Sequence, residues 1–207
     1  MFQLVKGAFI PDISGLREEY EVDGNTVHAN VSAEKISKVF ESFLNEMRED
    51  EPLFLFIEVP CCEEDELKLN SVQSEREKVI EKYHRDVYYL DGYDREGMLS
   101  FLNSGAGELL INDGFVCFGF GSLESNIELG KYEYNKLTGF QWGQSDMTHI
   151  LDKLNIPRVD EIVTAFQLVS VDNPGRRSKY EFNGKDIYVL IEQLKDLGLY
   201  KAETREE

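Results

Sequence analysis

Two adjacent cysteines, Cys61 and Cys62, have the most conspicuous chemistry in the sequence. They follow the apolar segment LFLFIEV at 53–59, and the end of such a strand is a common position for functional sites in open sheets. A thiolate there would act as a nucleophile or a metal ligand. The acidic run at 63–66 suppresses the thiolate form, and neither a CxxC pair nor a histidine at ligand spacing accompanies the cysteines. The sequence therefore predicts no catalytic thiol, no bound metal and no cofactor.

The three histidines offer general-base chemistry, but no neighbouring pattern identifies any of them as a base. His28 lies in a predicted strand, His84 at the end of an exposed helix, and His149 in a short helix. A hydrolase-like enzyme would have to assemble its site from scattered residues such as Cys61, His84 and Asp91. Such an enzyme is the alternative to a purely binding function.

Glycine-containing loops do not add a second kind of chemistry. The segment GAGE at 105–108 does not follow a strand, and FGFGS at 118–122 lacks the lysine of a phosphate-binding loop. The acids of DGYDREG at 91–97 are not at the alternate positions that a calcium loop uses. These segments are typical of turns and helix caps.

Charge is the strongest global signal. The 207 residues contain 40 acidic and 22 basic side chains, a formal net charge of −18, which disfavours binding to nucleic acid. Nine acids and only one base, Arg48, lie between Glu46 and Glu66. Such a stretch either keeps the chain soluble or steers a basic protein partner. The candidate steering residues are Glu49, Asp50, Glu51, Glu63, Glu64 and Asp65.

Aromatic residues crowd the segment GKYEYNKLTGFQW at 130–142. Tyr132, Tyr134 and Trp142 are candidates for short-range contacts with a partner, because tyrosine and tryptophan often anchor interfaces. They are equally typical of partly buried sheet residues. The basic segment GRRSK at 175–179 could bind an anion or another subunit, or form a solvated loop.

These residues are predicted to lie on an α+β fold, with a mixed, mostly antiparallel sheet and packed helices. A hairpin at 18–31, a helix that begins after Ser32, a central strand at 53–59, a strand at 161–171 and a terminal helix from Ile187 are expected. The chain reads as a single domain over 1–202 with a frayed acidic tail at 203–207. Eight residues of this fold are predicted to be buried: Phe54, Phe56, Leu109, Ile111, Val116, Phe118, Ile191 and Leu194.

The segment GELLINDGFVCFGFGS at 107–122 is predicted to be a hairpin whose turn is Asp113 and Gly114. Alternation then places Gly119 and Gly121 on one face of the second strand, where they form a floor without side chains. Either another part of the chain covers this floor, or it is a docking groove.

The sequence predicts no signal peptide and no membrane-spanning segment, and three cysteines do not indicate a disulfide framework. The expected compartment is the cytoplasm. In its acidic character the chain is similar to bacterial immunity proteins that neutralise basic toxins, although no signature motif carries that similarity. The sequence thus predicts a non-catalytic protein-binding module. The alternatives are the enzyme described above and a structural protein that self-associates, for example as a homodimer.

Overall fold

The structure, a computed structural model, describes residues 1–70, 82–141 and 148–206. Its strands are β1 (Ala8–Phe9), β2 (Glu19–Asp23), β3 (Thr26–Asn30), β4 (Leu53–Pro60), β5 (His84–Tyr93), β6 (Cys117–Ser122), β7 (Ile127–Lys131), β8 (Lys136–Phe140), β9 (Arg176–Arg177) and β10 (Tyr200–Glu206). Eight of them form one sheet in the order β10-β5-β4-β6-β7-β8-β3-β2, and β1 pairs with β9 separately. All these pairings are antiparallel.

Helices accompany this sheet throughout the described residues. They are α1 (Ala33–Glu46), α2 (Glu63–Asn70), α3 (Arg95–Leu102), α4 (Gly105–Asn112), α5 (Thr148–Lys153), α6 (Ala165–Leu168) and α7 (Ile187–Lys195). The predicted α+β class with a mostly antiparallel sheet is confirmed. Among the described residues, no helix is both long and apolar enough to cross a bilayer.

Helix α1 fixes the core on one face of the sheet. Its apolar side chains recur at three- and four-residue steps, so one stripe points at the strands and is buried. The ring of Phe40 lies 5.0 Å from that of Phe118 and 5.5 Å from that of Phe120, measured between centroids. The predicted helix after Ser32 is therefore confirmed. The Ser32 hydroxyl donates to the Glu34 carboxylate instead of accepting a bond from the helix backbone.

Strand β4 lies inside the sheet, between β5 and β6, and is buried on both faces from Leu53 to Val59. Leu55 and Ile57 belong to the core under α1, whereas Phe54 and Phe56 point to the opposite face. The both-sided strand predicted from the sequence is confirmed, and all eight residues that were predicted to be buried are buried.

The predicted hairpin at 107–122 is wrong in its first half. Residues 105–112 form helix α4, whose first turn is capped by the Ser104 hydroxyl bound to the backbone of Ala106. The Asp113 carboxylate then accepts bonds from the backbone amides of Phe115 and Val116, which turn the chain into β6. An apolar run of three, Leu109 to Ile111, fits a buried helix as well as a strand, so alternation alone could not separate them.

The floor formed by Gly119 and Gly121 is covered from within the sheet. Phe54 pairs with Gly121 and Phe56 with Gly119 on the neighbouring strand. A Cβ atom at Gly119 would lie 2.5 Å from Cε1 of Phe56, and one at Gly121 would contact the Phe54 ring. The glycines therefore make room for the two rings of β4, and they do not form an empty docking groove.

Two further expectations near the C-terminus are wrong. The strand predicted at 161–171 is replaced by bends and the short helix α6, which a capping box between Thr164 and Gln167 begins. Residues 203–206, expected to fray, belong to β10, which pairs with β5 along its length. The side chains of β10 are mostly exposed, so hydrophobic patterning does not reveal this strand, which is held by backbone pairing with β5 and by polar side-chain bonds to Asp86 and Glu58.

Candidate functional site

A pocket of about 380 Å³ opens where β4 ends. Its walls come from the end of β4, the start of α2, β5, α7 and β10, so five separate segments meet around it. Concave sites with convergent polar groups are where small ligands usually bind. The lining residues are Val59, Pro60, Cys61, Cys62, Asp65, Asp86, Tyr88, Tyr188, Ile191, Glu192, Lys195 and Lys201.

The Asp86 carboxylate organises this pocket. It is 7% exposed and accepts bonds from Thr204 Oγ1 at 2.6 Å and Lys201 Nζ at 3.1 Å. Tyr88 donates to its other oxygen at 3.2 Å, and the thiol of Cys61 donates at 3.4 Å. Burial opposes ionisation, but these donors outweigh it and hold the pKa of Asp86 below its usual value. Asp86 is therefore a fixed negative charge that joins β5 to β10.

Neither thiol at the pocket mouth is set up as a nucleophile. Burial and the adjacent Asp86 charge raise the pKa of Cys61 to about 12, so its thiol stays protonated near neutral pH. Cys62 is exposed, and its Sγ lies 3.3 Å from the Asp65 carboxylate. Both sulfur atoms thus face carboxylates as hydrogen-bond donors. The absence of a catalytic thiol stays a prediction, and its physical basis is that neighbouring carboxylates disfavour the thiolate form.

The structure brings two residues of the alternative enzyme site together and leaves out the third: the backbone amide of Cys61 donates to the His84 carbonyl at 2.9 Å, whereas Asp91 lies far from both. His84 is the first residue of β5. Its Nδ1 lies 2.8 Å from the carboxylate of Glu66, a buried residue of α2. Asp91 is seven residues further along the same strand, where it accepts a bond from the Tyr200 hydroxyl at 2.7 Å. That separation along a strand corresponds to about 23 Å. Asp91 therefore cannot act on one small substrate with Cys61 and His84.

The other two histidines also have partners in the fold. Nδ1 of His28 lies 3.2 Å from the Thr138 hydroxyl across two paired strands. Nε2 of His149 lies 3.0 Å from the Glu46 carboxylate at the end of α1. Within the described residues, no group of three or more His, Cys, Asp or Glu side chains is arranged to hold a metal ion.

The acidic stretch is divided by β4 into two separate clusters. Glu49 and Asp50 are exposed before the strand, and Glu63, Glu64 and Asp65 are exposed after it, in the first turn of α2. The eight residues of β4 span about 26 Å. The two clusters therefore do not form one continuous negative surface. Glu49 also pairs with Arg95 at 2.9 Å.

Glu51 does not belong to either exposed cluster. Its side chain is 1% exposed and accepts hydrogen bonds from the hydroxyls of Ser122 and Ser125. It joins the start of β4 to the β6–β7 turn. Its assignment to a partner-binding surface is therefore corrected, because a buried carboxylate cannot contact a partner. Nothing in the charge run distinguishes it from its neighbours.

The two described aromatic candidates, Tyr132 and Tyr134, are partly or fully buried. Tyr134 is 7% exposed and packs edge-on against Phe166 at 5.5 Å, which corrects its assignment as a contact residue. Tyr132 is half-buried, with its ring against Gly130 of β7. Burial and the nearby charges of Glu128 and Glu58 raise the pKa of Tyr132. Trp142 lies outside the described residues, so its predicted contact role stays a prediction.

The basic segment at 175–179 is largely neutralised within the chain. Arg177 pairs with Glu133 at 2.9 Å, and Lys179 pairs with Asp186 at 3.1 Å. Arg176 and Arg177 form β9, whose strand partner is β1. This segment thus ties the C-terminal half to the N-terminus.

Sequence reasoning missed the residues that shape the pocket from β5, α7 and β10. Alternation along β5 places Asp86 and Tyr88 on one face, and that much was visible in the sequence. Lys201 lay beside the segment expected to fray, so its ion pair with Asp86 depends on a strand pairing that was not predicted.

Comparison with protein families, curated proteins and solved structures finds no match to this chain.

Proposed function

We propose that this protein is a non-catalytic binding module that recognises a basic protein through the exposed carboxylates of α2. The observation that carries the proposal is the run of three exposed acids, Glu63, Glu64 and Asp65, in the first turn of that helix. They lie on a chain whose formal net charge is −18. Such a surface accelerates the approach of a positively charged partner and discourages a negative one.

Binding is favoured over catalysis by the state of the reactive groups. The Cys61 thiol donates to Asp86, the His84 ring is bound to Glu66, and Asp91 is at the other end of β5. Each group has a structural partner that accounts for its position. A nucleophile and a base with shared access to one substrate would have favoured the hydrolase alternative.

The second cluster, Glu49 and Asp50, contributes separately. Exposed charges are screened over about 8 Å at physiological salt, and β4 holds the two clusters about 26 Å apart. Neutralising one cluster should therefore leave most of the other's effect on association intact. The α2 cluster is the larger of the two, with three exposed acids against two.

An immunity-type role, in which the protein neutralises a basic toxin in a bacterial cytoplasm, is the biological setting that fits this proposal. A reducing compartment suits three cysteines that are all free thiols. Self-association into a homodimer through the aromatic segment is less favoured, since Tyr134 is buried and Tyr132 half-buried.

The test compares two charge-neutralised variants with the wild type. Glu63→Gln, Glu64→Gln and Asp65→Asn are combined in one variant, and Glu49→Gln with Asp50→Asn form the matched control. A basic partner is captured from the source cell, and its association rate is measured by stopped flow over a range of NaCl concentrations. The α2 variant should associate on the order of 10-fold more slowly at low salt, with a weaker salt dependence.

Thermal unfolding of both variants supplies the fold control, because acids in a first turn also stabilise a helix by about 0.3–1 kcal/mol each. An unchanged association rate at low salt, with the fold intact, would rule out the α2 surface as the binding site. Failure to capture any protein partner would contradict the binding function as a whole.

A further inference from the structure

The pocket at the end of β4 contains two cationic side chains that come from different elements. Lys201 lies in β10 and Lys195 in the last turn of α7, and both line the pocket. Within the part of the chain that the structure describes, they are the only cations that line this pocket. Their side chains are 48% and 43% exposed, respectively, so each ammonium group is accessible.

Each ammonium group is positioned by a carboxylate and retains further donors. Lys201 Nζ donates to Asp86 at 3.1 Å, and Lys195 Nζ donates to Glu192 at 2.6 Å. An ammonium group carries three N–H donors, so one bond to a carboxylate leaves others for a ligand. Asp86 already accepts bonds from Thr204, Lys201, Tyr88 and Cys61. It therefore anchors Lys201 and is poorly placed to bind a ligand cation.

Aliphatic and aromatic side chains form part of the pocket wall. Val59 and Ile191 are 2% and 3% exposed, respectively, and contribute aliphatic surface. Tyr88 and Tyr188 add two rings whose hydroxyls donate to Asp86 and to the Pro60 carbonyl. A volume of about 380 Å³ is at the small end of ligand pockets and corresponds to about a dozen non-hydrogen atoms.

The acidic residues at the pocket limit the charge of a suitable ligand. Among the described residues that line the pocket, Asp65, Asp86 and Glu192 outnumber the two lysines by one charge. A polyphosphate would be repelled, whereas a single carboxylate needs only the two ammonium groups. We propose that this pocket binds a small organic monocarboxylate, with its carboxylate at Lys195 and Lys201 and its apolar part against Val59 and Ile191.

The experiment uses three probes of similar size that differ in charge: benzoate, benzamide and benzylamine. Each is titrated into the full chain, and the NMR signals of the Val59 and Ile191 methyl groups are followed. Benzoate should give saturable shifts with a Kd on the order of 1 mM, as expected for a ligand of about nine non-hydrogen atoms. Benzamide should bind at least about 10-fold more weakly because it lacks the charge.

Variants assign the binding to the two lysines. Lys195→Met should weaken benzoate binding by about 10-fold or more, because it removes one charge-assisted bond. Lys201→Arg keeps the charge beside Asp86 and should retain binding. Lys185→Met removes an exposed lysine outside the pocket and is the matched control. Backbone NMR spectra show whether each variant is folded.

Two results would overturn the proposal. One is an absence of saturable shifts up to about 20 mM benzoate, a concentration well above the expected Kd. The other is preferential binding of benzylamine, or benzoate binding that is unchanged by Lys195→Met, because either would assign recognition to the carboxylates or to apolar contact alone. Neither outcome depends on the basic protein partner, so this test and that of the binding function can fail separately.

Discussion

Single residues in the acidic stretch have opposite roles despite adjacent positions. Asp50 is exposed, whereas Glu51 is buried and bound by the hydroxyls of Ser122 and Ser125. The backbone amide of Arg48 also donates to Glu51, at 3.4 Å. Burial opposes ionisation of Glu51, but these bonds outweigh it and lower the pKa of the carboxyl below its usual value. The same side-chain type thus serves the fold at one position and the surface at the next.

The change Glu51→Gln should lower the free energy of unfolding by about 1–3 kcal/mol at pH 7, because it replaces charge-assisted bonds in a buried site. Glu49→Gln is the matched control, since the Glu49 side chain is 79% exposed, and should change stability by less than about 0.5 kcal/mol. Urea denaturation of the three proteins measures both effects. Equal stability of Glu51→Gln and wild type would contradict the structural role of this carboxylate.

The contribution of Glu51 should also depend on pH. A carboxyl whose pKa is lowered by folding stabilises the native state fully above its unfolded pKa, near 4.5, and loses that effect as pH falls through the folded value. The stability difference between wild type and Glu51→Gln should therefore be constant from about pH 6 to 8 and shrink below about pH 4.5. A difference that grows as pH falls would show that the sign of the linkage is wrong.

At the scale of elements, β4 and β6 are fitted to one another by alternating large and absent side chains. Gly119 and Gly121 lie opposite Phe56 and Phe54, and Gly130 of β7 lies under the Phe56 and Tyr132 rings. The sheet can therefore bury two phenylalanines flat against neighbouring backbone. This arrangement makes the glycines of β6 specific packing residues.

Gly119→Ala should destabilise the protein by about 1–3 kcal/mol or more, because the new methyl group meets the Leu129 carbonyl and the Phe56 ring. Gly15→Ala is the control: its Cβ would meet only the flexible Leu168 side chain, at 3.1 Å, so the expected change is within about 0.5 kcal/mol. Both free energies come from urea unfolding. Unchanged stability of Gly119→Ala would mean that the Phe56 ring can move away without loss.

The elements that could be predicted are those whose buried faces follow from the spacing of apolar residues within a short segment. The stripe of α1 and the two apolar faces of β4 both follow from residue order, and both are confirmed. The strand β10 could not be predicted, because its side chains are mostly exposed and its place in the sheet depends on pairing with the distant strand β5. The prediction for the segment that forms helix α4 was wrong for a different reason, since its consecutive apolar residues fit both a buried helix and a strand.

The candidate site was predicted less well than the fold. A site near Cys61 was among the alternatives that the sequence offered. The pocket there depends on Asp86, Lys195 and Lys201, which come together only because α7 and β10 pack beside β5. The exposed acids of α2 were found from charge alone, whereas charge also selected Glu51, which is buried. Composition therefore identifies a class of residue, and burial decides which members reach the surface.

The charge of the whole molecule should set its response to salt. A formal net charge of −18 on 207 residues produces self-repulsion in the compact state. Raising NaCl from about 20 to 150 mM shortens the screening length to about 8 Å and should raise the Tm by about 2–4 °C, or about 1 kcal/mol. Calorimetry at pH 7 measures this shift.

An uncharged osmolyte at matched osmolality is the control, because it leaves the electrostatic repulsion unscreened. Exposed ion pairs such as Lys6–Glu108 and Lys82–Glu206 are weakened by salt and act in the opposite direction. A fall in Tm with added NaCl would show that such pairs outweigh the net repulsion.

The strand order also has a consequence for synthesis on the ribosome. The β2–β3 hairpin emerges early, but its partner β8 is translated about a hundred residues later. At about 5–20 residues per second the hairpin waits roughly 5–20 s before it can join the sheet, and an isolated hairpin is at best marginally stable. β10 is translated about a hundred residues after β5, so the edge of β5 that it covers stays open over that interval. The nascent chain therefore has two incomplete sheet edges until β8 and β10 have been made, and this is the interval in which chaperones would protect it.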